Sequence, residues 1–274
     1  MNSLKPTNDF IFKKLFGKKG NEDILKDLLE SILTDIKIEK LEIRKDVTLE
    51  KEIITNKLGI LDIVATLNDN TIVNIEIQVR DFNNTIERSI FYETGLIHSI
   101  LEVGENYEEI PRTISIWITK YDLFEEGPFH EKAVLKRDYE NIVLTDKLEL
   151  HYIQLDKFRR KCKRISSKLE EWLTFIDYEN MEAISMIENE KVKKAEEEFE
   201  YLTGDEYTKR LAFLRNKAIW DERDAKSKGK KEGIQEGKKE EKIEIAKKML
   251  AEKMDEELIM KLTELTKEEI EKLK

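Results

Sequence analysis

Residues 58–80 read LGILDIVATLNDNTIVNIEIQVR, and this stretch decides the fold. Two β-branched runs flank Asn68-Asp69-Asn70, so the pattern predicts a hairpin. A three-residue turn centred on Asp69 makes the numbers of facing residues sum to 138. One face then carries Leu61, Ile63, Ala65 and Leu67 against Ile77, Ile75, Val73 and Thr71, almost wholly apolar. The other carries Ile60, Asp62, Val64 and Thr66 against Gln78, Glu76, Asn74 and Ile72. A slip of one residue would place carboxylates in the core, which disfavours every neighbouring register. Asp62 therefore stands directly opposite Glu76. Cross-strand partners lie about 4.5–5.5 Å apart at Cβ, and like charges there repel. Facing carboxylates become reasonable around a divalent cation, because hard ions such as Mg2+ prefer oxygen ligands. Gln78, two residues beyond Glu76, shares that face.

Outward from the hairpin, Asp9 to Leu33 reads as helix, with Thr7 and Asn8 as cap candidates after Pro6. Residues 38–54 alternate like a strand or two. After Asn83 a second helix is expected, its apolar stripe made of Ile86, Ile90, Phe91, Ile97, Ile100 and Leu101. Arg88 and Tyr92, four apart, share a different face and can lean over the hairpin. Thr113 to Thr119 and Leu148 to Leu155 read as further strands, which makes the pattern α/β. From Lys157 onward the chain reads helical. Gly229, Gly233 and Gly237 mark a low-complexity helix or hinge. Amphipathic pieces follow at 243–254 and 256–262, and Thr266 with Glu269 is a capping-box signature. We expect three regions: a core over 1–165, an acidic helical extension over 166–226, and a Gly/Lys/Glu-rich helical tail over 227–274, an association module.

The 274 residues carry a net charge of −10, with 39% charged, 10 Gly and 3 Pro, which argues against a disordered or collagenous chain. Residues 170–206 hold 13 acidic and 3 basic side chains, and the rest holds 46 of each, so bulk charge does not exclude a nucleic-acid partner. Lys157, Arg159, Arg160, Lys161, Lys163 and Arg164 form a dense basic run, either a solvated helix face or a DNA contact. The single Cys162 excludes an internal disulfide, and His98, His130 and His151 are too scattered for a zinc site. No apolar run reaches the roughly 18 residues of a membrane span, and the opening MNSLKPTNDF has no signal-peptide core. The expectation is a soluble, reduced, cytoplasmic protein with no membrane partner.

Asp62, thirteen intervening residues, then Glu76-Ile77-Gln78 resembles the PD-(D/E)XK nuclease superfamily, with Gln78 in place of the usual lysine. The opening Pro6-Thr7-Asn8-Asp9-Phe10-Ile11-Phe12-Lys13-Lys14-Leu15-Phe16-Gly17 narrows the resemblance to the Rpn family of recombination-promoting nucleases, also described as transposases. Glu87-Arg88-Ser89-Ile90-Phe91-Tyr92 and the Gly-Lys-Lys-Glu-Gly tail are similar too. The resemblance implies a restriction-endonuclease-like core, a mixed central sheet flanked by helices, cutting DNA with Mg2+ or Mn2+. It implies Asp62, Glu76 and the Ile77 carbonyl as metal ligands, and Gln78 as the group that orients water or phosphate. Asp9 would add a further acid, although a helix-start residue favoured by the dipole is the simpler reading. Lys57, Arg88, Tyr92, Arg159 and Arg160 are the candidate DNA contacts. The other class of reading is a catalytically weak DNA-binding or self-associating relic of such a nuclease. RNA as substrate stays open, because nothing here reads a 2′-hydroxyl. A homodimer is the expected assembly, since two symmetric sites most simply cut both strands.

Overall fold

The computed structural model describes residues 4–44, 62–68, 70–100 and 106–273. The helix expected over 9–33 forms as two, α1 (Asp9–Phe16) and α2 (Glu22–Ile32). The break falls at the glycines: Gly20 adopts φ +103°, and a Cβ on Gly17 would meet the Lys13 carbonyl at 2.7 Å. Asn8 is the cap, its side chain accepting the Ile11 N–H at 3.2 Å.

Six strands form one mixed sheet: β1 (Leu41–Arg44), β2 (Ile63–Leu67), β3 (Thr71–Gln78), β4 (Thr113–Thr119), β5 (His130–Val134) and β6 (Leu148–Gln154). Their order is β1-β2-β3-β4-β6-β5, with β3, β4 and β6 mutually parallel and the other pairs antiparallel. The hairpin register is the expected one: Ile63 pairs with Ile75, Ala65 with Val73 and Leu67 with Thr71. Asn68 ties the turn down, accepting the Glu39 and Lys40 N–H groups and donating to the Lys37 carbonyl. Asp69, Leu61, Ile60 and the remainder of the 38–54 pattern beyond Arg44 lie outside the described residues.

The apolar hairpin face joins Ile114, Ile116 and Ile118 of β4 in the main core. Over it pack α1, α2, α4 (Leu155–Lys161), α5 (Lys168–Asp177) and α7 (Glu190–Gly204). The short α6 (Met181–Ser185) adds Ile184. Trp172 of α5 is wholly buried against Phe16 and Phe175, and its indole N–H reaches Asp27 at 2.9 Å.

The opposite sheet face lies under α3 (Thr85–Ile100), which connects β3 to its parallel neighbour β4. Here the expected packing holds toward the end of the helix, where Ile97 is half-buried and Ile100 packs on Val64, Ile72 and Leu96, but is inverted in its first turns. Ile86, Ile90 and Phe91 are 39%, 51% and 39% exposed, while Thr85, Ser89, Glu93 and Leu96 are buried. The reason lies in the sheet, whose side chains beneath the helix include Asn74, Glu76, Ser115 and Thr113 and need polar partners. Leu101, the last residue of the expected stripe, lies outside the described residues.

Where the expected strand β6 pairs with β5, which the sequence reading did not find, His130 Nε2 lies 2.8 Å from His151 Nδ1, and His151 Nε2 lies 2.8 Å from Glu149. Arg112 and Lys132 also bind Glu149. Burial, with the charges of His151 and Lys132, lowers His130 from 6.5 to about 4. The folded ring is neutral, and unfolding frees it to take a proton. Its contribution to stability is therefore intact above about pH 6.5 and is lost as pH falls toward 4. Urea midpoints at pH 7 and pH 5 should differ less for His130→Gln than for the wild type; an unchanged difference would refute this.

The chain divides into two compact units, 1–212 and 213–274. The long α8 (Glu206–Ala251) includes Gly229, Gly233 and Gly237, so these are helical positions. In the second unit α9 (Glu256–Thr263) and α10 (Lys267–Glu271) close on a small core of Ala246, Ile259, Leu265 and Ile270. The capping box is formed: Thr266 accepts the Glu269 N–H and Glu269 accepts the Thr266 N–H. Among the described residues no helix is long and apolar enough to cross a membrane.

Candidate active site

Asp62 immediately precedes β2, and the hairpin register carries it to Glu76 on β3. Two crossed bonds lock the pair. The Asp62 N–H donates to Glu76 Oε1 at 3.0 Å, and the Ile77 N–H donates to Asp62 Oδ2 at 3.2 Å. Glu76 is 2% exposed, Asp62 half-buried. Burial and then the Asp62 charge push the Glu76 carboxyl well above the usual carboxylate range, against the opposing pull of the Asp62 N–H, Arg88 and Asn74. Two acids thus share a buried strand end with their charges in conflict.

Gln78 follows on the same face, half-buried, where β3 ends. Its Oε1 accepts from Arg88 Nη1 at 3.1 Å, and Arg88 Nη2 donates to the Tyr92 hydroxyl at 3.3 Å. The guanidinium also lies over the rings of Tyr92 and Trp117, 5.4 and 5.8 Å from their centroids. The i,i+4 pair on α3 does lean over the hairpin, and Arg88 is the cation that acts on Glu76.

Other candidates stand elsewhere. Asp9 heads α1, where its carboxylate accepts the Phe10 N–H at 2.7 Å. It does not join Asp62 and Glu76 in a cluster: among the described residues no group of three or more acidic, histidine or cysteine side chains is arranged to hold a metal. Arg159 makes a two-pronged bond to Asp177 at 2.8 and 2.6 Å, and Arg160 pairs with Asp122. Lys157 is buried and donates to the Glu126 carbonyl. The basic run is thus in good part engaged within the fold rather than held out as a stripe. Lys57 lies outside the described residues.

Sequence reasoning put Asn74 on the Glu76 face but missed Glu93 and Ser115, which line the same covered face. The available signal was the alternation of β3 and β4, which puts Asn74, Glu76, Thr113 and Ser115 on one side. A helix crossing that side had to offer its polar residues.

A mixed sheet whose central hairpin ends in two facing acids is the architecture of a nuclease-type α/β core. Residues 6–229 match the PD-(D/E)XK nuclease family transposase model, and residues 239–274 match the Rpn/YhgA-like nuclease family C-terminal HTH domain. The chain belongs to the PD-(D/E)XK nuclease family of transposases. No curated protein and no solved structure matches it.

Proposed function

We propose that this protein is a divalent-metal-dependent endonuclease that hydrolyses phosphodiester bonds in DNA, in recombination or the movement of DNA elements. The Asp62–Glu76 pair carries this reading. Holding one carboxylate buried beside another destabilises a fold unless a cation compensates. The donor set fits such an ion: oxygen ligands from two acids, with the Ile77 carbonyl as a third, suit Mg2+ or Mn2+. When bound, the ion would polarise the scissile phosphate and lower the pKa of a water. Gln78, its oxygen held by Arg88, keeps amide N–H donors with which to orient that water or a phosphate oxygen. Glutamine brings no charge, and Arg88 supplies the positive charge that a lysine would carry. Tyr92 braces Arg88.

The test is cleavage of supercoiled plasmid with Mg2+, Mn2+, Ca2+ or EDTA, with RNA alongside. We expect cutting of DNA with Mg2+ or Mn2+ and none in EDTA. A folded protein that cuts with no metal present, or with none of the metals, overturns the proposal; the second outcome favours the binding or relic reading. Arg88→Met should slow cleavage about 10²-fold by removing a charged donor. Without that cation Glu76 ionises at higher pH, so the acid limb of the pH–rate profile should move upward. A slower enzyme with an unmoved limb would argue against the electrostatic role.

The tail supports a second role. Residues 239–274 hold 9 Lys, no Arg and 11 acidic side chains, a weak basis for binding a polyanion. On α9, Leu258 and Leu262 are exposed. We assign this module to self-association, pairing two nuclease sites. Sedimentation should show a dimer, and a monomer at working concentration would sink this assignment.

A further inference from the structure

Past β5 the chain continues into a two-stranded arm. Residues 135–137 run antiparallel to 142–144, with Lys136 opposite Val143. The Arg137 N–H donates to the Ile142 carbonyl at 2.8 Å, and the Leu144 N–H to the Leu135 carbonyl at 2.9 Å. Leu135, Tyr139, Ile142, Val143 and Leu144, five large apolar side chains within ten residues, are between 46% and 79% exposed. Together they present on the order of 500 Å2, toward the top of what a soluble monomer leaves in one patch. A lone two-stranded ribbon is marginally stable in water, so an arm this apolar gains from being covered. The strand that leads into it is open as well. β5 closes the sheet, and among the described residues no backbone hydrogen bond reaches it from the side away from β6. Lys132, a charge of the kind that guards such an edge, is drawn instead to Glu149 and Asp35.

We infer that β5 and the arm form an interface with a second copy of this chain, joined edge to edge. Charge selects that occupant. Residues 130–147 carry four acidic and four basic side chains, in a chain whose net charge is −10. A polyanion such as DNA finds no net attraction there, and two copies find no net repulsion. A strand edge also fits itself. Two antiparallel edges related by a twofold axis perpendicular to the sheet keep their faces and complete each other's outward N–H and C=O groups. Glu131, Lys132, Lys136 and Arg137 cannot lie on that axis, because each would face its own charge. The axis therefore falls at Ala133, Val134 or Leu135. Each arm then lies along β5 of the other copy, which gives the arm a surface and the edge a strand. This inference depends neither on the nuclease reading nor on the tail.

The experiment uses the full-length chain with Cys162→Ser, so that an introduced cysteine is the only thiol. Val134→Cys lies within one residue of every allowed axis, which puts the two cysteine Cα atoms within about 9 Å of each other. A short bis-maleimide should therefore give a product of twice the mass. Adding Leu135→Glu, at an exposed position in the seam, should cut its yield at least about tenfold while circular dichroism stays unchanged. Sedimentation and DNA binding in Ca2+, followed by fluorescence anisotropy, are read on the same samples. A folded Val134→Cys protein that sediments as a dimer yet gives no cross-link overturns the inference and leaves assembly to the tail. A monomer at working concentration overturns both. A folded Leu135→Glu variant that cross-links like its parent overturns it too. Weaker DNA binding with the cross-link intact would instead put a nucleic acid on the arm. Should Leu135→Glu fail to fold, Ala133→Glu, at an exposed position of β5, must lose the cross-link or the inference falls.

Discussion

Glu76→Gln is expected to lower DNA cleavage by about 10³-fold or more, since several kcal/mol of transition-state charge stabilisation would go with the carboxylate. The same substitution should make the protein more stable at neutral pH. Burial and the Asp62 charge raise the Glu76 pKa well above its ordinary value of 4.5 in the folded state. A raised carboxyl favours the fold fully below its unfolded pKa, and that advantage is lost as pH climbs through the folded value. At pH 7 the wild type therefore carries a penalty that glutamine, uncharged and nearly isosteric, does not. Each kcal/mol relieved raises the melting temperature by about 2–4 °C. Asp62→Ala should likewise stop cleavage by removing the partner acid. Plasmid assays beside thermal scans at pH 5 and pH 7.5 check both. A Glu76→Gln protein that still cuts, or that melts lower at pH 7.5, would refute the assignment.

Trp172→Ala should destabilise the first unit by about 3–5 kcal/mol, the range for deleting a large buried aromatic. Trp172 is 0% exposed, packs on Phe16 of α1 and Phe175 of α5, and donates its indole N–H to Asp27 of α2. Losing it opens a cavity among three helices and strips a donor from Asp27. Urea unfolding followed by circular dichroism reads the effect. A midpoint that hardly moves would mean that the helices after residue 165 are an appendage, not part of the nuclease core.

The hairpin register was legible from the sequence because strand pairing here is a local matter of period two. Ile63, Ala65 and Leu67 share one face while Asp62, Val64 and Thr66 share the other, Asn68 and Asn70 take the positive φ values of the turn, and one slip would bury charge. That register alone brings Asp62 to Glu76, and spacing along α3 then brings Arg88 and Tyr92 over Gln78. Other features were not legible, since they depend on what a distant segment presents. The stripe Ile86, Ile90 and Phe91 has the periodicity of a buried face, yet it is exposed. The split of the first helix at Gly17 and Gly20, by contrast, turned on two glycines that were visible from the start.

By itself, then, the sequence determined an α/β chain, its central hairpin, the facing acids and the helical second half, because periodicity and turn chemistry act between near neighbours. Only the tertiary structure decided which face of α3 is buried, that Arg159 and Arg160 are held by Asp177 and Asp122, and that Glu93 is buried on the sheet side of α3. The physical reason is the same for all three. A side chain's partner is set by the surface laid against it, and for these residues that surface comes from elsewhere in the chain.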